Sequence, residues 1–273
     1  MHTMTAQIER KIPFLPDANR ILGRSCALQA ENDSGELATS PKRNHLLAAL
    51  PSSEYQRLFP FLMPVQLSRG QVIHESGDHI NAVYFPINSI ISLQQFTEEG
   101  ASMEISIVGN EGMLGVTSIM GGKINTNRAV VQNSGIAFRL NVSILKDEFD
   151  RFNTLNHLLL RYTQALITQM SQMAVCNRHH TLEQQLCSRL LFSLDRLPCT
   201  TVTLTHELIS NILGVRRESV SVTARKLQML GMIRYRRGQI HVLDRQRLEQ
   251  TACECYALVK NDFDLMFHAA RVN

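Results

Sequence analysis

The chain has 273 residues, of which 44% are hydrophobic and 19% are charged, and its formal net charge is +4. This length accommodates two domains of ordinary size, and this composition is typical of a globular protein rather than a disordered one. No apolar run approaches the roughly 18 residues that span a bilayer. The N-terminal stretch MHTMTAQIERKIPFLPDANR lacks the apolar core and the cleavage site of a secretory signal. We therefore expect a cytoplasmic protein without a membrane partner.

The cysteines of the sequence are scattered, which is not the dense spacing of a secreted disulfide scaffold. Cys253 and Cys255 form a CxC pair, and no second pair completes a zinc ribbon. Cys176, His179 and His180 are spaced to share a helix face, but two or three ligands are not a zinc site by themselves. We therefore expect packed thiols and a polar hinge rather than a metal site, and we predict no cofactor. Whether Cys176, Cys253 or Cys255 is redox-active stays open.

Positive charge is concentrated towards the C-terminus. The segment 204–250 contains nine Lys and Arg residues and four acidic residues, a net charge of +5, so the remaining chain carries about −1. This uneven distribution is the electrostatic pattern of a nucleic-acid-binding domain joined to a near-neutral domain.

The predicted elements begin after a polar, turn-rich extension over residues 1–42, which we expect to be flexible. The stretch NHLLAALPSSEYQRLFPFLMPVQL predicts two short helices, the first capped by Asn44 and the second by Ser52 or Ser53. From Val65 to about residue 140, β-rich runs alternate with turn signals: QVIHE, AVYFPI, IISLQQF, MEISIVG, RAVVQ and GIAFRL. Short strands between glycine-containing turns predict an antiparallel sandwich or barrel, with one hairpin closing at residues 98–100.

A long helix without Gly or Pro is predicted from about Thr154. Its apolar residues recur in steps close to the heptad spacing of two paired helices, which favours a dimer seam. The alternative is that this stripe packs on the chain's own β domain. Leu158 and Ile167 give the helix a second apolar face, so both arrangements can hold. The predicted seam residues are Leu155, Leu159, Tyr162, Leu166, Met170 and Met173.

Two further helices and a hairpin follow the segment TLEQQLCSRLLFSLDRL, itself an amphipathic helix. Thr205 is placed to cap the first helix, and Gly214 allows a sharp turn. The second helix is expected to bury Val220, Ala224 and Leu227 on one face. The hairpin IRYRRGQIHVL turns at residues 237–238. The order is therefore helix, turn, helix and a β-hairpin wing.

The opposite face of the second helix carries groups that recognise DNA. Arg bonds guanine through two hydrogen bonds, Glu accepts from the cytosine amino group, and Val contacts a thymine methyl. We predict that the base-reading residues are Arg217, Glu218, Ser221 and Val222. The predicted phosphate contacts are Thr205, His206, Arg216, Arg225, Arg234, Arg236 and Arg237. The alternative, an ordinary solvated helix, explains each charge singly but not the turn, the opposed faces and the arginine-tipped hairpin together.

The stretch LTHELISNILGVRRESVSVTARKLQMLGMIRYRRGQIHVLDRQRLEQTACECY resembles the winged helix-turn-helix of the Crp/Fnr family of bacterial transcription regulators. The preceding CNRHHTLEQQLCSRLL is similar to the family's hinge and first DNA-binding helix, and the resemblance extends over about residues 43–257. It implies an α+β fold with a cupin-like N-terminal antiparallel β-roll of the cyclic-nucleotide-binding type, a long dimerisation helix and the winged domain. It also implies a homodimer that binds double-stranded DNA at an inverted repeat, with RNA polymerase as a further partner and no enzymatic activity.

The resemblance also divides the chain. The divisions are an N-terminal extension (1–42), a β-roll sensor domain (43–153), a dimerisation helix (154–180), a DNA-binding domain (181–257) and a C-terminal tail (258–273). The family's base-reading positions fall on Arg217 or Glu218, on Ser221 and on Val222. Arginine is common in the family at the last of these, so Val222 leaves the operator sequence open.

Family members that bind cyclic AMP hold its ribose with a Glu and its phosphate with an Arg-Ser pair. In the matching stretch VGNEGMLGVTSIMGGKINTNRAVVQ, the Gly-Glu step is replaced around Gly115, and the Arg-Ser pair falls on Asn127 and Arg128. A phosphodiester without its arginine loses charge-assisted hydrogen bonds of about 1.5–3 kcal/mol each. We therefore expect an effector other than cyclic AMP, with Gly115, Asn127 and Arg128 as the candidate effector pocket. The alternative is a cyclic-nucleotide-responsive regulator with an atypical phosphate cassette.

Other sensor or catalytic chemistries lack ligands in this sequence. An N-terminal iron–sulfur cluster needs more cysteines than Cys26 alone. His74, His79 and His157 are available to haem, but a lone His is more often a surface or packed residue. A cupin-type metalloenzyme needs clustered ligands on strands, and no later strand supplies a His partner for His74, Glu75 and His79. The favoured function is therefore a DNA-binding regulator.

Overall fold

The computed structural model of the protein describes residues 39–100 and 102–268. The described part of the chain leaves out residues 1–38 of the flexible extension predicted for 1–42. It also leaves out residues 269–273 of the predicted tail. Within the described ranges, no helix is both long enough and apolar enough to cross a membrane.

Two antiparallel sheets and their flanking helices form the N-terminal part of the chain. The elements are α1 (His45–Ala48), α2 (Ser52–Leu58), β1 (Met63–Leu67), β2 (Val72–His74), β3 (Ala82–Pro86), β4 (Ile90–Phe96), β5 (Ser102–Val108), β6 (Arg128–Asn133), β7 (Gly135–Asn141), α3 (Val142–Phe149) and α4 (Thr154–His179). The sheet orders are β1-β7-β3 and β2-β6-β4-β5. The β-rich runs of the sequence are confirmed as β2 to β7. The Asn44 cap is also confirmed, whereas α2 follows Pro51 without a serine cap.

The two sheets enclose apolar side chains, so the roll is filled by its own core. Its buried residues come from both sheets and from the loop after β5: Leu67, Ile91, Leu93, Val108, Leu114, Ala129, Val131 and Ala137. They alternate with outward-facing residues because successive side chains of a strand point to opposite faces. The predicted hairpin is confirmed, since β4 and β5 pair up to Phe96 and Ser102, and Gly100 in the turn has a φ of +82°.

The C-terminal part is a winged helix-turn-helix followed by a long helix. Its elements are α5 (Leu182–Asp195), β8 (Thr201–Thr203), α6 (His206–Leu213), α7 (Arg217–Met229), β9 (Ile233–Arg236), β10 (Gln239–Val242), α8 (Arg245–Thr251) and α9 (Glu254–His268). The strands form an antiparallel sheet in the order β8-β10-β9. The boundary predicted at residue 258 falls inside α9, which continues to His268. Val259, Phe263 and Met266 of α9 are buried, and α9 packs along α4.

Helix α4 begins at Thr154, as predicted, but the stripe assigned to a dimer seam packs inside the chain. The predicted seam residues are all buried or half-buried: Leu155, Leu159, Tyr162, Leu166, Met170 and Met173. The Tyr162 hydroxyl donates to the Met113 carbonyl at 2.9 Å, and its ring packs against Phe263. The seam assignment to these six residues is therefore corrected in favour of the alternative. The roll and α9 need an apolar cover, and this face of α4 supplies it.

Two buried ion pairs connect the β-roll to α5. Arg189 pairs with Glu104 on β5, and their side chains are 3% and 0% exposed. Arg196, the C-cap residue of α5, donates from Nε to Glu111 at 2.7 Å. A Cβ on Gly109 would come within 2.7 Å of the Arg196 side chain, so glycine is needed for this approach. Removing one partner of a buried pair costs about 3–5 kcal/mol because the other charge stays uncompensated. The pairs therefore hold the two domains together.

Asn44 fastens α1 to the roll from a fully buried position. Its Oδ1 accepts from the backbone N–H groups of Leu46 and Leu47 at 3.1 and 3.3 Å. Its Nδ2 donates to the carbonyls of Pro86 and Gly112 at 3.0 and 2.7 Å. One side chain thus caps a helix and satisfies two buried carbonyls.

Asn44→Ala is expected to lower the free energy of unfolding by about 2–4 kcal/mol, because it removes a cap and leaves buried carbonyls without a donor. Asn141→Ala is the matched control, since Asn141 caps α3 through the Ser143 N–H from an exposed position. Losing this cap alone should cost about 1 kcal/mol. Urea unfolding of both variants measures the difference. Equal losses would contradict the role of the buried carbonyl bonds.

Candidate nucleic-acid interface

A cap, a turn and a buried face position α6 and α7. The Thr205 hydroxyl oxygen accepts from the Leu208 N–H at 3.1 Å, and Gly214 ends α6 with a φ of +63°. Both features confirm the predicted local structure. The buried residues that hold the two helices are Ile209, Ile212, Val220, Ala224 and Leu227. The opposite face of α7 is consequently directed away from the core.

Three of the four predicted base-reading residues are exposed on this face of α7. Arg217 and Glu218 occupy its first turn, and Val222 is 66% exposed. A guanidinium, a carboxylate and an isopropyl group are therefore accessible to a partner. Ser221 differs, because it is half-buried and its hydroxyl donates to the Arg217 carbonyl at 3.0 Å.

His206 connects α7 to the wing. Its Nδ1 lies 2.9 Å from the Ser221 Oγ, and its ring stacks on Tyr235 with centroids 4.3 Å apart and planes at 13°. Burial, and then the nearby Arg217 charge, lower the pKa of His206 below its usual value. The imidazole is therefore neutral near pH 7. In this structure His206 holds α6, α7 and the wing together, and its phosphate contact stays a prediction.

The wing is the hairpin of β9 and β10. Arg236 pairs with Gln239 across a two-residue turn, and both turn residues have positive φ, +50° at Arg237 and +77° at Gly238. Such turns match the twist of the flanking strands. The side chains of Arg234, Arg236 and Arg237 are all exposed. The hairpin therefore presents three cations at its edge and tip.

The residues that the structure describes do not pair with the positive charges of this surface. Among the residues that the structure describes, no ion pair involves the exposed arginines at positions 216, 217, 225, 234, 236 and 237. Ion pairs of this domain instead join Lys226 to Glu183 and Arg245 to Asp195, each at 2.5 Å, and Arg245 to Glu249 at 2.8 Å. Thr205, a further predicted phosphate contact, is half-buried and uses its hydroxyl oxygen in the α6 cap.

The candidate effector residues have partners within the roll. Gly115 precedes a short 3-10 helix with a φ of +96°. The Asn127 Oδ1 is 3.3 Å from His74 Nε2, and Arg128 pairs with Glu75 at 3.2 Å. A polar cavity beside β2 and β3 has His74 in its lining, but none of the three predicted residues lines it.

Tyr235 is a residue of the interface that the sequence pattern contained but that we did not predict. Strand β9 alternates, with Ile233 buried, Tyr235 half-buried and Arg234 and Arg236 exposed. The Tyr235 N–H also donates to Gln228 Oε1 of α7 at 2.9 Å. The period of two therefore places this ring on the inner side of the wing.

Double substitution tests the contact between α6 and α7. His206→Ala should lower the free energy of unfolding by about 1–3 kcal/mol, because it removes a hydrogen bond and a ring stack. In a double-mutant cycle with Ser221→Ala, the coupling energy should be about 0.5–1.5 kcal/mol. Arg225→Ala, an exposed change on the same helix, should stay within about 0.5 kcal/mol. Additive losses for His206→Ala and Ser221→Ala in urea unfolding would contradict the contact.

Comparison with known proteins agrees with this geometry. Residues 184–251 match the Crp-like helix-turn-helix domain. No curated protein matches the chain. A transcriptional regulator of the Crp/Fnr family from Eubacterium rectale is similar in structure, with a TM-score of 0.59, 17% identity, and coverage of 77% of this chain and 98% of its own. FixK2 from Bradyrhizobium japonicum gives a TM-score of 0.59 at 16% identity, over 70% and 98% of the two chains.

CLP, the c-di-GMP-responsive global regulator of Xanthomonas campestris, gives a TM-score of 0.54 at 12% identity, over 70% of this chain and 99% of its own. At these identities the structural likeness concerns the fold, and the domain match concerns residues 184–251. The chain thus contains a Crp-like helix-turn-helix domain, and its β-roll, long helix and winged domain form the α+β fold of the Crp/Fnr transcription regulators.

Proposed function

We propose that the protein is a sequence-specific DNA-binding transcription regulator that binds an inverted repeat as a homodimer. The observation that carries this proposal is the exposed face of α7 together with exposed arginines on α7 and on the wing. These arginines form no ion pair with any described residue. An α-helix fits the DNA major groove, and arginines beside it match the phosphate backbone. The matched domain is a DNA-binding type, which favours this function over a metalloenzyme.

The exposed residues of α7 supply different kinds of base contact. Arg217 donates two hydrogen bonds to guanine, and Glu218 accepts from the cytosine amino group. Val222 packs on a thymine methyl, which gives its exposed side chain an apolar contact. Ser221 reaches a base only by giving up its hydroxyl bond to the Arg217 carbonyl.

The arginines of the wing contact phosphates. Arg234, Arg236 and Arg237 stand on a rigid hairpin, so they bind the backbone beside the groove that α7 occupies. Arg216 and Arg225 flank the reading face and add to the same electrostatic attraction. RNA polymerase is a further partner that we propose from the resemblance to the family.

The dimer that we propose uses the outer face of α4 in place of the six buried residues. Leu160 and Ile167 are 52% and 51% exposed, and Val175 is 45% exposed. Gln164 and Ser171 are exposed between them, so the face repeats in steps of four, three, four and four. This is the spacing of a two-helix seam. Apolar side chains grouped on one exposed helix face support a protein interface there.

We propose that the β-roll senses an effector other than cyclic AMP. Apolar side chains from both sheets fill the core of the roll, so a ribose or a phosphate would have to bind outside that core. Arg128 Nε is paired with Glu75, so that carboxylate would compete with an anion for the guanidinium. The similarity to CLP keeps a cyclic-dinucleotide effector as the alternative, because that regulator responds to c-di-GMP.

DNA selection from a random pool tests the function and separates the two kinds of contact. Arg217→Ala should relax the preference at one position of each half-site and weaken cognate binding by about 1–3 kcal/mol. Arg236→Ala should weaken binding to all sequences and reduce the salt slope by about one unit per half-site. Arg69→Ala on the roll removes the same charge from an exposed site and should change neither. An unselective wild-type protein would refute the proposed function.

Leu160→Glu combined with Ile167→Glu should give a monomer in sedimentation velocity, because two buried carboxylates would face each other across the seam. Affinity for the inverted repeat should then fall at least 100-fold, because the two half-sites are bound by separate monomers instead of by one dimer. Met120→Glu, an exposed apolar change on the roll, is the control. A persistent dimer in the double variant would contradict the seam.

A further inference from the structure

Four metal-ligating side chains meet where α4 ends and α9 begins. The Sγ atoms of Cys176, Cys253 and Cys255 and an imidazole nitrogen of His180 all lie within 4.8 Å of one another. The sulfurs of Cys176 and Cys253 are 3.5 Å apart, and the Cys255 sulfur is 3.6 Å from His180 Nδ1. The three cysteines are at most 8% exposed. These residues, which we call the hinge cluster, have no part in the DNA contacts described above.

The spacing of the hinge cluster fits one tetrahedral zinc ion. Zinc binds thiolate sulfur at about 2.3 Å and imidazole nitrogen at about 2.0–2.1 Å, so sulfurs around one ion lie about 3.8 Å apart. Three cysteines and one histidine are a common structural zinc set. An iron–sulfur cluster places several atoms between its thiolates and needs a wider opening. We propose that Cys176, His180, Cys253 and Cys255 bind one Zn²⁺ as a structural site.

Residues around the hinge cluster orient its ligands. His180 Nε2 lies 3.2 Å from the Glu254 carboxylate, so the Nε2–H is donated outward and the Nδ1 lone pair faces the sulfurs. A carboxylate behind a metal-binding histidine is the usual support for such a ligand. The Ser188 hydroxyl is 3.3 Å from the Cys253 sulfur, a position from which it can donate to a thiolate. The surroundings therefore suit the charged, metal-bound form of the ligands.

The backbone that carries two of the ligands is held in place by a buried side chain. Gln185 Nε2 donates to the carbonyls of Cys176 and His180 at 3.1 and 2.8 Å. These bonds fix the last turn of α4 and the chain reversal that follows it. An apolar cleft lined by Cys176, Cys255 and Asn177 adjoins the cluster.

The zinc site would link the chain segments at the beginning and at the end of the DNA-binding domain. Two ligands precede this domain and two follow α8, and Cys176 and Cys253 are 77 positions apart in sequence. On binding, each thiol releases its proton to solvent, and three thiolates and a neutral imidazole hold the ion. The ion then ties the end of α4 to the start of α9 and fixes the hinge between the sensor and the winged domain.

Metal analysis of the full-length protein tests this proposal. Protein purified without chelators and supplied with Zn²⁺ should retain one zinc per chain after gel filtration. Replacing Zn²⁺ with Co²⁺ should give the visible absorption of a tetrahedral ion and the near-ultraviolet bands of cobalt–thiolate bonds. Cys253→Ser should lose the bound zinc. Glu254→Gln, which keeps all four ligands, should weaken zinc affinity 10- to 100-fold in competition with a chelating indicator.

Cys187→Ala is the matched control, because Cys187 is fully buried but lies outside the hinge cluster. It should keep one zinc per chain. The proposal is overturned if the wild-type protein retains no zinc and its Co²⁺ form lacks thiolate bands. Iron with labile sulfide at these cysteines, or a Cys176–Cys253 disulfide in zinc-supplied protein, would also overturn it. If Cys253→Ser does not fold, the Co²⁺ spectrum of the wild-type chain decides the question alone.

Discussion

Arg189 and Arg196 of α5 are buried against the carboxylates of Glu104 and Glu111 on the β-roll. Taking each charge out of water costs several kcal/mol, and the attraction within the pair offsets this only while the partners stay in contact. A small separation of the two domains would leave the charges both desolvated and unpaired, whereas a full separation would let water solvate them. Intermediate positions are therefore disfavoured. A choice between discrete placements of the winged domain on the roll is the property that a regulatory switch requires.

Helix α4 is placed to transmit such a change, because one of its faces packs on the roll and we propose that the other pairs with a second copy. On the inner face, Tyr162 bonds the Met113 carbonyl of the roll and packs against Phe263 of α9. A Cβ on Gly112 would lie 2.3 Å from the Tyr162 ring, so the roll and the helix fit without spare room. On the outer face, Leu160 and Ile167 remain exposed. A shift of the roll against Tyr162 therefore moves the face through which we propose that two copies pair.

Local features could be predicted from the sequence, and the identity of packing partners could not. The caps at Asn44 and Thr205 and the turn at Gly214 depend on residues within a few positions, so the pattern contained them. The α4 stripe shows the same spacing whether it covers the chain's own roll or a second copy, because periodicity reports burial and not the partner. The role of His206 depends on Tyr235, which only the folded wing brings near. The α9 helix is a different case: Val259, Phe263 and Met266 recur at helical spacing, a signal that the predicted tail overlooked.

The hinge cluster escaped prediction because each half is incomplete in the sequence. The CxC pair lacks partners, and Cys176 with His180 offers two ligands, so neither half indicates a zinc site until the fold joins them.

The position of the hinge cluster also matters for α7. Glu183, in the first turn of α5 beside the cluster, pairs with Lys226 of α7 at 2.5 Å, and Arg196 anchors the other end of α5 to the roll. With the proposed ion at one end and the buried pair at the other, α5 is fixed at both ends. Helix α7 packs on α5, so its orientation depends on the β-roll and on the hinge cluster together.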